Sequence, residues 1–167
     1  MNLRRVSGVI QLQIGEHFFG GLGVRVRTVL GSCVSLTCWH PGRRLGGICH
    51  YMLPAPTRLL GRRGPLDGRY AEKAMTLLLN EIGQAGLAPG TFQYKLFGGA
   101  DMFDAGRVIR IGQQNIEAAH GFLARHGLRC VAEHLGGVGH RELIFDTGSG
   151  VVLLRQIKPM RPGSSGR

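Results

Sequence analysis

Apolar and polar residues alternate over residues 34–39, with Val34, Leu36 and Cys38 set against Ser35, Thr37 and Trp39. This two-residue period is that of a strand with one face turned to a core. Residues 24–30 are rich in β-branched side chains and read as a preceding strand that runs into a turn at Gly31-Ser32. The run His40-Pro41-Gly42-Arg43-Arg44 is a turn signal, and residues 45–52 return as the antiparallel partner. Further strands are predicted over 92–97, 129–135, 142–145 and 151–157, the last two joined by a hairpin loop, Asp146-Thr147-Gly148-Ser149-Gly150.

The period changes in the middle of the chain. Tyr70, Ala74, Leu77, Leu78 and Ile82 fall at helical spacing, which predicts a helix over 69–84 with Asp67 as its N-cap and an end by Gly86. A second helix is predicted over 112–126, with Ile116, Ala119 and Phe122 or Leu123 inward and Gly127 as its C-terminal residue. Residues 57–67 read as an exposed loop, Gly20 to Gly23 as a loop, and the Pro-, Gly-, Ser- and Arg-rich residues 159–167 as a disordered tail. Strands at both ends and helices between them define an α+β class. The expected architecture is a single domain over residues 1–158, with two mixed or antiparallel β-sheets packed as a sandwich and flanking helices.

Composition adds three constraints. At 167 residues the chain is long enough for one core without disulfide or metal staples. Its 28 glycines follow no fixed period, which points to tight turns and close backbone approaches. The net charge of +11 is uneven, because residues 1–66 hold nine arginines against one acid, Glu16. Such a field attracts acidic partners. With no helix-turn-helix, zinc-finger or aromatic RNP-type element to read bases, an acidic protein surface is expected and nucleic acid is not. The N-terminus alternates Val9, Gln11 and Gln13 with Ile10, Leu12 and Ile14 instead of forming the apolar block of a signal peptide. No stretch approaches the roughly 18 to 20 apolar residues that span a bilayer, so the expected location is the cytoplasm, without membrane insertion.

The candidate chemistry lies in residues 30–54, where Cys33 and His50 are 17 positions apart. A thiol and an imidazole suffice for nucleophilic acyl chemistry. A hairpin places Cys33 at the beginning of one strand and His50 near the end of the next, so the two can meet. Cys33, Cys38, His40, Cys49 and His50 also cluster in sequence, but Cys33 and Cys38 are an odd number of residues apart and Cys49 is adjacent to His50. On regular strands both pairs face opposite sides, so no metal or other cofactor is expected. Cys38, Cys49 and Cys130 read as small buried residues, and His17, His120, His126, His134 and His140 as surface or helix-end residues.

Four segments in order resemble the CheD-type chemoreceptor glutamine deamidases: LGSC at 30–33, HYMLP at 50–54, FGGADMF at 97–103 and IGQQN at 111–115. A helix with Tyr70 and Ala74-Met75, then Arg141 after a Gly-Gly pair and the terminal hairpin with Thr147-Gly148, extend the likeness over residues 8–157. The resemblance implies hydrolysis of glutamine side-chain amides in methyl-accepting chemotaxis receptors, with Cys33 as nucleophile and His50 as base. It also implies a threonine as third residue, for which the candidate is Thr28; some members carry it one position earlier, where this chain has Arg27. Backbone groups around Gly31, Ser32 and Cys33 are the expected oxyanion donors. Gly98 and Gly99 are candidates for substrate or oxyanion contacts or for close packing beside the site, and Asn115 is expected to be structural. A CheC-type phosphatase is the second partner that the resemblance implies.

Overall fold

The computed structural model describes residues 3–56, 67–101 and 110–158. Most of the predicted 57–67 loop, Met102 and Phe103 of the third motif, and the predicted tail lie outside these residues. Among the described residues ten strands and two α-helices follow one another as β1 (Arg4–Val6), β2 (Val9–Gln11), β3 (His17–Gly21), β4 (Arg25–Leu30), β5 (Val34–His40), β6 (Leu45–Tyr51), α1 (Ala71–Gln84), β7 (Gln93–Gly98), α2 (Ile111–Arg125), β8 (Cys130–Leu135), β9 (His140–Asp146) and β10 (Val152–Ile157). The first sheet has the order β1-β2-β4-β9-β10 and the second β3-β6-β5-β7-β8. Each is mixed, with one parallel pair, β2 with β4 and β7 with β8, among antiparallel ones.

Two apolar layers hold these sheets together. Ile10, Leu12, Val26, Ile48 and Phe145 meet between the sheets, joined farther along by Leu30, Phe97 and Leu143. On the far face of the second sheet, Val34, Leu36, Cys38 and Cys49 pack against Met75, Leu78 and Ile82 of α1 and Ile116, Ala119, Phe122 and Leu123 of α2. Both helices thus cover one side of the sandwich. That arrangement explains why β5 is buried almost throughout although its sequence alternates: Ser35, Thr37 and Trp39 face the first sheet, while Val34, Leu36 and Cys38 face the helices. In β4, by contrast, Val26, Thr28 and Leu30 are buried while Arg25 and Val29 are exposed and Arg27 is half-buried, so the outer face of the first sheet meets water.

The α+β sandwich and the helical spans agree with the sequence reading, and two local expectations do not. Asp67 does not cap α1: Tyr70 is the N-cap residue and offers no side-chain bond, while the Asp67 carboxylate binds Arg69 at 2.7 Å. An extra turn intervenes because Gly68 packs directly on Gly15, where a Cβ would lie 2.1 Å from the Gly15 carbonyl oxygen. Gly20 and Gly21 are not loop residues but the end of β3, paired with Gly46 and Leu45. Gly20 faces another glycine, and two glycines in a row carry no pattern of side chains to read. The alternation at residues 9–14 marks only three residues of strand, β2, beside a β1 with no pattern of its own.

Candidate active site

Leu30 ends β4 in the first sheet and Val34 begins β5 in the second, so Gly31, Ser32 and Cys33 form the crossing between the layers. Three consecutive carbonyls of this crossing are held from one side. The Ala100 N–H donates to Gly31 at 3.0 Å, the Asn115 side-chain amide to Ser32 at 3.0 Å, and the Gly99 N–H to Cys33 at 2.8 Å. The peptides are trans, so each of these carbonyls turns the next N–H the opposite way. The N–H groups of Ser32, Cys33 and Val34 therefore face away from Gly99 and Asn115.

These contacts explain two of the sequence motifs. Gly98 has φ +111° and sits so near that a Cβ would lie 2.2 Å from the Cys33 oxygen. At Gly112, in the first turn of α2, a Cβ would lie 2.5 Å from the Gly99 oxygen, so only glycine lets the helix settle on the Gly99-Ala100 backbone. Asn115, one turn on, is fully buried and donates to the carbonyls of both Ser32 and Met52, the latter at 2.9 Å. One amide thus ties the crossing that carries Cys33 to the segment just beyond His50. Gly98 and Gly99 buttress Cys33 from behind; neither lines the cleft that exposes it.

His50 lies on β6 directly across from Ser35 of β5. Cys33 precedes Ser35 by two residues, and thiol and imidazole line a common cleft of about 350 Å³. Nδ1 of His50 is 2.7 Å from the Thr28 hydroxyl, which itself donates to the Leu12 carbonyl at 2.9 Å. That carbonyl can only accept, so the single hydroxyl proton of Thr28 points to Leu12, and the Thr28 oxygen must accept from His50. Nδ1 therefore carries the ring proton, and Nε2 presents a lone pair; it is buried and has no partner. This is the tautomer of a general base.

Strand parity decides between Thr28 and Arg27. Thr28 shares the inward face of β4 with Val26 and Leu30, whereas Arg27 faces outward and pairs with Glu142 and Gln11.

Burial sets the charge state of the pair. It lowers the His50 pKa from its ordinary 6.5 to about 4, and it raises that of the Cys33 thiol, partly offset by the residue's own N–H. Both shifts favour the uncharged forms, a neutral thiol and a neutral imidazole. Cys38 and Cys49 are fully buried against the helices, Cys49 with its pKa pushed up to about 12. Cys130 bonds the Ala132 carbonyl on β8. Cys33 alone of the four lines the cleft.

A family model described as "CheD chemotactic sensory transduction" matches residues 52–156. A "Probable chemoreceptor glutamine deamidase CheD" of Pseudomonas savastanoi is 44% identical over 155 residues, covering 90% of this chain and 85% of that protein. The chain belongs to the CheD family. "Probable chemoreceptor glutamine deamidase CheD 3" of Dechloromonas aromatica is 44% identical over 145 residues, covering 86% and 84%. The protein of that name without a number from Desulforamulus reducens is 36% identical over 161 residues, covering 94% and 96%. The family match begins after His50, but a continuous alignment over nine tenths of the chain must include residues 28–50, so the CheD likeness spans the cysteine, the histidine and the threonine.

Several lining groups of this CheD cleft were not expected from sequence. Gln11, Gln13 and Ile14 form one wall, and Val29 and His140 the rim around the end of β4. They come together because β2 pairs with β4 only as far as Arg27, while β9 runs beside β4 to Leu30. The gap beside Val29 opens a passage from the outer face of the sheet to the space between the layers. No local pattern announces such a gap. His17, expected at the surface, lies on β3 with Nε2 3.2 Å from Glu81 of α1.

The buried neutral His50 makes stability pH-dependent. Its folded pKa of about 4 lies below the unfolded value of 6.5, so the unfolded chain binds the proton first and stability is complete above about pH 6.5. Unfolding free energy is expected to fall by about 3 kcal/mol from this group as pH drops from 7 to 4. Urea titrations of the wild type and His50→Gln check this: the variant should lose distinctly less over the same range.

Proposed function

We propose that this chain is a cytoplasmic protein-glutamine deamidase that converts glutamines of methyl-accepting chemoreceptors to glutamate and ammonia through a Cys33 thioester. The observation that carries the reading is the Leu12–Thr28–His50 relay, which leaves a buried Nε2 lone pair in the cleft lined by Cys33. Nε2 takes the thiol proton as sulfur bonds to the amide carbon, and the resulting imidazolium hands it to the departing ammonia. Water, deprotonated by the same nitrogen, then cleaves the thioester and frees Cys33. The Ser32 and Cys33 N–H groups, turned away from the clamp on their carbonyls, are the donors assigned to the tetrahedral oxygen. Thr28 is a positioning residue: it fixes the ring and its tautomer without touching substrate.

The relatives' names as chemoreceptor glutamine deamidases support this substrate class. A Thr28–His50 relay in the same cleft that Cys33 lines favours catalysis over an adaptor that merely binds a CheC-type phosphatase. The test is incubation with a recombinant chemoreceptor cytoplasmic fragment, followed by peptide mass mapping. Specific glutamines should gain the mass of an amide-to-acid change with release of ammonia; an unchanged map sinks the proposal.

The relay makes its own prediction. Thr28→Val keeps the shape but leaves the His50 N–H unpaired, a loss of about 1–3 kcal/mol that corresponds to roughly 10- to 100-fold in kcat. KM should hardly change, and Thr28→Ser should restore most of the rate. A structural role for the methyl group alone would give the opposite order.

A further inference from the structure

We propose that the outer face of the first sheet, centred on Val29, Ile144, Leu153 and Arg155, docks the acidic protein segment that carries the target glutamine; this rests on the deamidase reading. The cross-strand registers place Arg27, Ile144 and Leu153 in one outward row and Val29, Glu142 and Arg155 in the next. An antiparallel face turned to water is ordinarily polar. Here Val29 is 42% exposed, Leu153 61% and Ile157, beside His140, 44%. Among the described residues nothing packs over them.

Continuity with the cleft argues for the occupant. Val29 and Arg27 belong to this outer face and also line the cleft that leads to Cys33. A glutamine side chain places only two methylenes between its Cα and the carboxamide, so a carboxamide at Cys33 holds the substrate backbone at the mouth, against that face.

Charge argues for its chemistry. Arg4, Arg25, Arg27 and Arg155 face the same way and outnumber the two carboxylates of the face, Glu142, paired with Arg27 and Arg155, and Asp146, paired with Arg25. The surplus is positive and borders the apolar row, which suits an acidic segment with apolar residues of its own.

The experiment compares wild type, Leu153→Glu and Arg155→Glu, with Arg129→Glu on the far side as a matched change of charge, on a recombinant chemoreceptor cytoplasmic fragment. KM is expected to rise about tenfold or more in the first two, with kcat little altered, and to stay at the wild-type value in Arg129→Glu. Added salt should raise the wild-type KM and affect Arg155→Glu less. The rate of Cys33 alkylation by iodoacetamide and the melting temperature verify an intact site; if Leu153→Glu unfolds, Arg155→Glu decides. An active wild type with unchanged KM in both variants overturns this proposal alone. A wild type that converts no glutamine refutes the deamidase reading and this one with it. Sedimentation that shows a wild-type dimer broken by Leu153→Glu assigns the face to a second copy of the chain and also overturns it.

Discussion

Cys33→Ala should lose glutamine conversion by about a thousandfold or more while keeping the wild-type fold, because in the proposed mechanism it removes the sulfur that forms the thioester. Cys33 is half-buried at the cleft and packs only on the margin of the Leu30–Phe97–Leu143 cluster, unlike the fully buried Cys38 and Cys49. The melting temperature should therefore change little. The burial that raises the Cys33 pKa works against ionisation of the free thiol, which is why the proposed mechanism assigns the thiol proton to the neutral His50 Nε2. Peptide mapping of the receptor fragment after incubation measures the loss. Full activity in Cys33→Ala would move the chemistry to another residue.

Gly98→Ala should be the most damaging of the conservative substitutions. The added Cβ meets the Cys33 carbonyl oxygen at 2.2 Å and the Val34 Cα at 3.2 Å, both backbone atoms that no side-chain rotation can move. The φ of +111° adds strain that an L-residue rarely sustains. Together these cost about 3–5 kcal/mol, and the oxygen that must move belongs to Cys33, the proposed nucleophile, so activity should fall further than stability alone explains. Gly127→Ala supplies the control. That glycine ends α2 at φ +62° with nothing within 4 Å of a Cβ, so only the backbone term applies, about 1–2 kcal/mol. Urea midpoints of the two variants separate the contributions; equal losses would mean that the close approach at Gly98 is unimportant.

Much of this architecture was legible locally. The β5–β6 hairpin follows from alternation and a turn-forming pentapeptide, and it carries Cys33 and His50 to neighbouring positions whatever the rest of the chain does. Helices α1 and α2 follow from apolar residues at helical spacing, and their buried residues are largely those the spacing selects. The motif series identified the family, and with it the acyl chemistry. What failed locally did so where the deciding partner is distant: Gly20 and Gly21 become strand because Gly46 and Leu45 lie opposite, and Asp67 loses its cap role because Gly68 is pressed on Gly15.

The sequence by itself determined the strand and helix periods and the α+β class, and it put forward Cys33 and His50 as the candidate thiol and imidazole, since each depends on residue type and spacing over a few turns. Only the tertiary structure decided that Thr28 and not Arg27 meets His50, for that depends on which face of β4 turns toward a sheet built from other parts of the chain. It alone decided that Asn115, Gly98 and Gly99 grip the carbonyls behind Cys33, and that β2 stops short beside Val29 to open the cleft. Hydrogen-bond partners and gaps between layers are set by packing among segments remote in sequence, and no periodicity within one segment encodes them.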